Sequence, residues 1–127
     1  MTPPRPTDAE LEILRALWQR GPSTVREVHE RLAAGKRRAV RYTTTLKQLQ
    51  VMTDKELVTR AENGRSHVYR AATGEAETQS QLLEHLLESA FGGSAQQLFM
   101  RALSSKRASS AELAELRRLL DEQARDD

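Results

Sequence analysis

Thr43, Thr44, Lys47 and Gln50 place hydroxyl, ammonium and amide groups at helical spacing, and groups of this kind hydrogen-bond phosphate oxygens and base edges. On a wheel of about 100° per residue, Thr43, Lys47, Gln50 and Asp54 share one side, while Thr45, Leu49 and Met52 fall on the other at core-facing spacings. The polar side carries no large apolar residue. Just before it lie four cations in six residues, Lys36, Arg37, Arg38 and Arg41. Thr43, Thr44, Lys47 and Gln50 are therefore the candidates for base readout, with Lys47 foremost because it lies in the first turns of the helix. Arg38, Arg41 and Tyr42 at the helix entrance, and Lys55 at its end, are candidates for the nucleic-acid backbone.

Leu57-Val58 leads from that helix into a β-hairpin signalled by Asn63-Gly64, two residues that accept positive φ as a type I′ turn requires. A turn there pairs Glu62 with Arg65, Thr59 with Val68 and Val58 with Tyr69. Arg65 and Ser66 then sit at the tip of a projecting hairpin, placed for phosphate or minor-groove contact.

These side chains need a scaffold, and the preceding residues supply one. Thr2-Pro3-Pro4-Arg5-Pro6 is proline-punctuated, so residues 1–6 are expected to be a disordered tail. Thr7-Asp8-Ala9-Glu10 has capping-box spacing and opens a helix through about Arg20, with Leu11, Leu14 and Trp18 on its inner face. Gly21-Pro22 stops it. A second capping box at Thr24 and Glu27 opens a helix with Val25, Val28 and Leu32 inward, ended by Gly35 at the C′ position. The order is helix, helix, reading helix, hairpin: a winged helix-turn-helix over residues 7–72.

At 127 residues the chain suits one ordinary domain or a small domain with an appendage, and its 38 % hydrophobic and 30 % charged residues are globular in balance. The net charge of +2 conceals an asymmetry. Residues 1–73 hold 14 Lys and Arg against 8 Asp and Glu, whereas residues 74–127 hold 6 against 10. Only the first half is built to meet a polyanion. Zero cysteines exclude a disulfide framework, a thiolate metal site and a thiol nucleophile. The longest apolar runs are three residues, too short for a membrane span or a signal-peptide core, and the expected location is the cytoplasm.

Residues 73–127 read as three amphipathic helices. The first, about Glu75 to Phe91, carries Leu82, Leu83, Leu86, Leu87 and Phe91 on one stripe and is broken by Gly92-Gly93. A second begins near Ser94 with Leu98 and Phe99. Ser109-Ser110-Ala111-Glu112 caps a third, with Leu113, Leu116 and Leu120. A segment this small buries too little surface to be self-sufficient, so these leucines and phenylalanines are expected to form a dimer interface. Without a sustained heptad repeat, an intertwined bundle is favoured over a coiled coil.

Other chemistry finds little support. His29-Glu30 begins like a zinc-protease motif, but residue 33, where the second histidine belongs, is Ala33. The chain has no glycine-rich phosphate loop and no Gly-x-Ser-x-Gly elbow, so no catalytic residue, metal or cofactor is expected. The competing reading is a dimeric helical adaptor whose winged domain contacts protein.

Glu10-Leu11-Glu12-Ile13-Leu14-Arg15-Ala16-Leu17-Trp18, then Glu27-Val28, Tyr42-Thr43-Thr44, Lys55, Leu57-Val58, Gly64-Arg65 and Tyr69 resemble the BlaI/MecI family of penicillinase repressors over residues 7–125. The resemblance implies a homodimeric winged-helix repressor that occupies palindromic double-stranded DNA operators and releases them on a signal from a sensor protein or ligand. Two departures stand out. Glu56 occupies a position usually held by glycine after the lysine, which implies strain or different capping at the end of the reading helix. Met100-Arg101 replaces the Asn-Phe bond that the penicillinase repressors present to their sensor protease, so cleavage there by such a sensor is not expected. The cysteine-rich tail of copper-responsive relatives is also missing.

Overall fold

Local capping starts the first two helices. In the computed structural model, which describes residues 5–35, 40–105 and 107–126, α1 spans Asp8–Arg20. Its capping box is complete: Glu10 N–H donates to Thr7 Oγ1 at 3.2 Å, and Thr7 N–H donates to Glu10 Oε1 at 2.9 Å. Gly21 closes α1 with φ of 95° and an N–H bond to the Leu17 carbonyl, a conformation costly for any residue with a Cβ. The second box, between Thr24 and Glu27, opens α2, Val25–Gly35. Gly35 is the last helical residue and has no positive φ, so it is not the left-handed C′ residue expected from the sequence.

α3 spans Tyr42–Asp54, followed by β1, Val58–Asn63, and β2, Ser66–Ala71, which pair antiparallel. The fold is mainly helical with this small hairpin as its only sheet among the described residues. α3 ends in a Schellman motif: Glu56 N–H donates to Thr53 O at 3.1 Å and Leu57 N–H to Met52 O at 2.9 Å. The C′ residue of that motif is Glu56, with φ of 65°. The glycine-to-glutamate departure thus falls on a left-handed backbone position.

The hairpin register differs from the sequence expectation. Asn63 pairs with Ser66, so the two-residue turn is Gly64-Arg65; Glu62 faces His67, Thr59 faces Arg70 and Val58 faces Ala71. Of the two turn residues only Gly64 has positive φ, at 66°, the pattern of a type II′ turn with glycine first, and Asn63 remains in the strand. The register is also tied down from outside the hairpin. Tyr69 N–H donates to Ser23 O at 2.8 Å, and Ser23 N–H donates to Tyr69 O at 3.0 Å.

Ile13, Leu14 and Leu17 of α1, Val28 and Leu32 of α2, Leu49 and Met52 of α3, and Leu57, Val58 and Tyr69 form the core. Leu11, Trp18 and Val25, expected on the inner faces of their helices, are partly buried and pack against it. On α1 the tertiary contacts select the 13-14-17 stripe over the overlapping 11-14-18 stripe. Trp18 takes a rim position, where Nε1 donates to the Thr73 carbonyl at 2.9 Å.

α4 spans Glu75–Phe91, α5 Ala95–Ser104 and α6 Ser110–Asp126. The chain divides into compact units within α4, Met1–Leu82 and Leu83–Asp127. In the first, Thr78 of α4 is buried, and its Oγ1 lies 3.1 Å from Thr73 Oγ1. In the second, Gly92 and Gly93, both at positive φ, separate α4 from α5, and a capping box between Ser109 and Glu112 opens α6. Among the described residues of α5 and α6 none is buried. Leu83, Leu86, Phe99, Leu113, Leu116 and Leu120 are each at least 42 % exposed, and Leu82, Leu87, Phe91 and Leu98 are partly buried.

Candidate nucleic-acid interface

α3 is two-faced as its spacing requires. Thr45, Leu49 and Met52 are 0 % exposed, while Thr43, Thr44, Lys47, Gln50 and Asp54 are exposed. The four residues expected to read bases therefore sit together on solvent-facing sides of one helix. Lys47 and Thr44 also line a groove of about 250 Å³ with Gln48, Val51, Thr7 and Glu10. Val51, 40 % exposed, is the apolar residue of that groove.

Arg41 is the N-cap of α3, extended and exposed, and its side chain makes no capping hydrogen bond. Tyr42 opens the helix and is 42 % exposed. Lys36, Arg37 and Arg38 lie outside the described residues. At the other end of α3, Lys55 Nζ donates to Glu10 Oε2 at 2.9 Å. This pair fastens the end of α3 to the start of α1. Burial works to raise the pKa of Glu10, but the Thr7 N–H, followed by Lys55, outweighs it and holds the carboxyl below its ordinary value. Glu27 is lowered too, first by the Thr24 N–H and then by the guanidinium of Arg20.

Arg65 occupies the apex of the wing and Ser66 begins its return strand, both exposed. The strands add two exposed cations that turn-centred reasoning missed, Arg60 and Arg70. Alternation along each strand was the signal that could have found them. Glu62, expected opposite Arg65, instead has Oε1 3.9 Å from His67 Nε2. Among the described residues no cluster of three or more His, Asp or Glu could hold a metal ion, and no helix is long and apolar enough to cross a membrane.

Three helices followed by a two-stranded hairpin, with an exposed polar face on the third helix and a cation at the hairpin tip, define a winged helix-turn-helix. The family model described as penicillinase repressor matches residues 6–122, and the chain belongs to that BlaI/MecI family of winged-helix regulators. Family members are transcriptional repressors, not enzymes. Similar curated proteins include the transcriptional regulator BlaI of two Mycobacterium tuberculosis strains, 38 % identical over 84 residues; the match covers 65 % of this chain and 59 % of each relative. A solution structure of Bacillus licheniformis BlaI, as a monomer in complex with the blaP half-operator, superposes with a TM-score of 0.51 at 24 % identity, covering 60 % of this chain and 90 % of that one. Bordetella bronchiseptica BpsR, in a structure concerned with regulation of its DNA binding by 6-hydroxynicotinic acid, superposes over 98 % of this chain and 83 % of its own at 13 % identity, with a TM-score of 0.52. At these identities both likenesses speak for the fold alone.

Proposed function

We propose that this chain is a transcriptional repressor that acts in the cytoplasm as a homodimer on inverted-repeat operators. The observation that carries the reading is the division of α3 into a fully buried inner face and an exposed face of Thr43, Thr44, Lys47 and Gln50. In this reading those four residues contact bases, while Arg38, Arg41, Tyr42, Arg65 and Ser66 contact the sugar-phosphate backbone. Lys55 is engaged by Glu10 and holds the end of α3 in place. Support comes from family membership and from the curated relatives named as transcriptional regulators.

The exposed apolar residues of α4 to α6 support pairing with a second copy. Two winged domains related by two-fold symmetry then require half-sites about 10 base pairs apart, or a multiple of that spacing. Release follows a signal carried by a ligand or sensor protein. A gel shift on random duplex at low and moderate salt, followed by selection from a randomised duplex pool, tests the proposal. Salt-sensitive binding and an enriched inverted repeat are expected. Absence of duplex binding at low salt would leave the protein-contact adaptor as the better reading.

A further inference from the structure

Tyr42, the first residue of α3, is 42 % exposed but held from the side. Two α2 side chains, one turn apart, reach its ring. The imidazole of His29 meets it edge-on, with centroids 5.6 Å apart and planes at 76°, and the Arg26 guanidinium carbon lies 6.0 Å from the ring centroid. These are separations at which edge-to-face and cation–π attraction act. His29 has a second hold on α3, with Nδ1 3.2 Å from Oγ1 of Thr45, which is fully buried. Two residues three apart on α2 thus grip two residues three apart on α3, the spacing that puts each pair on one helix face.

No side-chain cap orients the start of α3. The grip from α2 takes that role. We infer that Arg26 and His29 are positioning residues for base readout, setting the roll and depth of the first turn of α3 without touching bases themselves. The inference rests on the reading of α3 as the DNA-reading helix. Geometry makes the control consequential: at a helix outer radius of about 5–6 Å, a roll of about 10° moves a side-chain tip by roughly 1 Å. Base contacts tolerate about half that displacement. A loosened grip therefore costs discrimination between sequences, while phosphate attraction, which is long-ranged and tolerant of direction, survives.

The test measures anisotropy with two probes: a duplex selected by the wild-type chain from a randomised pool, and poly(dI-dC). Thermal unfolding is followed in parallel. His29→Ala is expected to lower the ratio of selected to non-specific affinity about tenfold, the size of one base contact, with non-specific affinity unchanged. His29→Asn, which retains a polar atom for Thr45, is expected to recover part of that loss. Arg26→Lys, at an exposed position that does not endanger folding, keeps the charge but not the planar group and is expected to lower the ratio as well. An unchanged ratio in both His29→Ala and Arg26→Lys, or a parallel loss on both probes, would overturn the inference. Failure of the wild-type chain to enrich any duplex would overturn the proposed function, and the inference with it.

Discussion

Lys55 Nζ and Glu10 Oε2 are 2.9 Å apart, joining the residue that caps the end of α3 to the glutamate that caps the start of α1. Glu10 is 5 % exposed, so its charge depends on the partners it has. Because its carboxyl lies below the ordinary value in the folded state, folding prefers the ionised form. The resulting stability is present above the unfolded carboxylate pKa and is lost as pH falls through the folded value. Thermal midpoints between about pH 3 and 7 should show a gap between wild type and Glu10→Gln that is widest near neutrality and closes below about pH 4. Lys55→Met should cost about 1–3 kcal/mol at neutral pH by removing a charged hydrogen bond. A gap that widens in acid would contradict the assignment.

Glu56 sits at φ of 65° in the C′ position of α3. A side chain there costs about 1–2 kcal/mol, and glycine returns part of this gain as unfolded-state entropy. Glu56→Gly should therefore raise stability by about 0.5–1 kcal/mol, visible in denaturant titration as a higher midpoint with an unchanged slope. A lower midpoint would mean that the Glu56 side chain makes a compensating contact.

Arg41 gives α3 a poor N-cap, and in the proposed interface it supplies a cation. Arg41→Ser should stabilise the fold by about 1 kcal/mol while weakening binding to every duplex and reducing the salt slope by about one unit. Stability and DNA binding moving in the same direction would refute this separation.

For sequence readout, Lys47→Ala should lose roughly 1–3 kcal/mol per half-site on a selected duplex and lower the specific-to-random ratio. Arg65→Ala should weaken both kinds of duplex more evenly. Isotherms across a salt series compare them. If Arg65→Ala erased preference and Lys47→Ala did not, the wing would be the reader.

The apolar residues of α4 to α6 lead to a prediction about assembly. Light scattering should find the full chain dimeric at micromolar concentration and Leu83→Asp/Leu116→Asp monomeric. A chain ending at Leu82 should be a folded monomer. One ending at Ala72 should be less stable by about 1–3 kcal/mol, since Trp18 loses the Thr73 carbonyl it donates to. A dimeric chain ending at Leu82 would relocate the interface.

Features governed by neighbours in the sequence were legible from it. The boxes at Thr7, Thr24 and Ser109 each depend on a glutamate three residues on, and all three form. The two faces of α3 followed from spacing, because a helix with one polar and one apolar side has a single sensible orientation. Long-range choices were not legible. Asn63-Gly64 is locally a good turn, but the Ser23 bridge to Tyr69 and the burial of Val58 belong to the whole domain and set the pairing. Likewise, nothing near His29 in the chain announces that its imidazole meets Tyr42.

The hairpin is pinned at its base by Tyr69 and closed at its apex by Gly64-Arg65. Side chains alternate sides along each strand, so one inserted or deleted residue would turn either Tyr69 out of the core or force a bulge. A two-residue turn closes only on a hydrogen-bonded pair, and such pairs alternate along the hairpin, so the reach of this wing can change across evolution only in matched increments of two residues per strand, about 6.8 Å at a time. Each such increment leaves the same sides presented at the tip. Wing length in descendants of this chain is a stepped variable, and the distance from the domain to the wing tip can drift only in jumps.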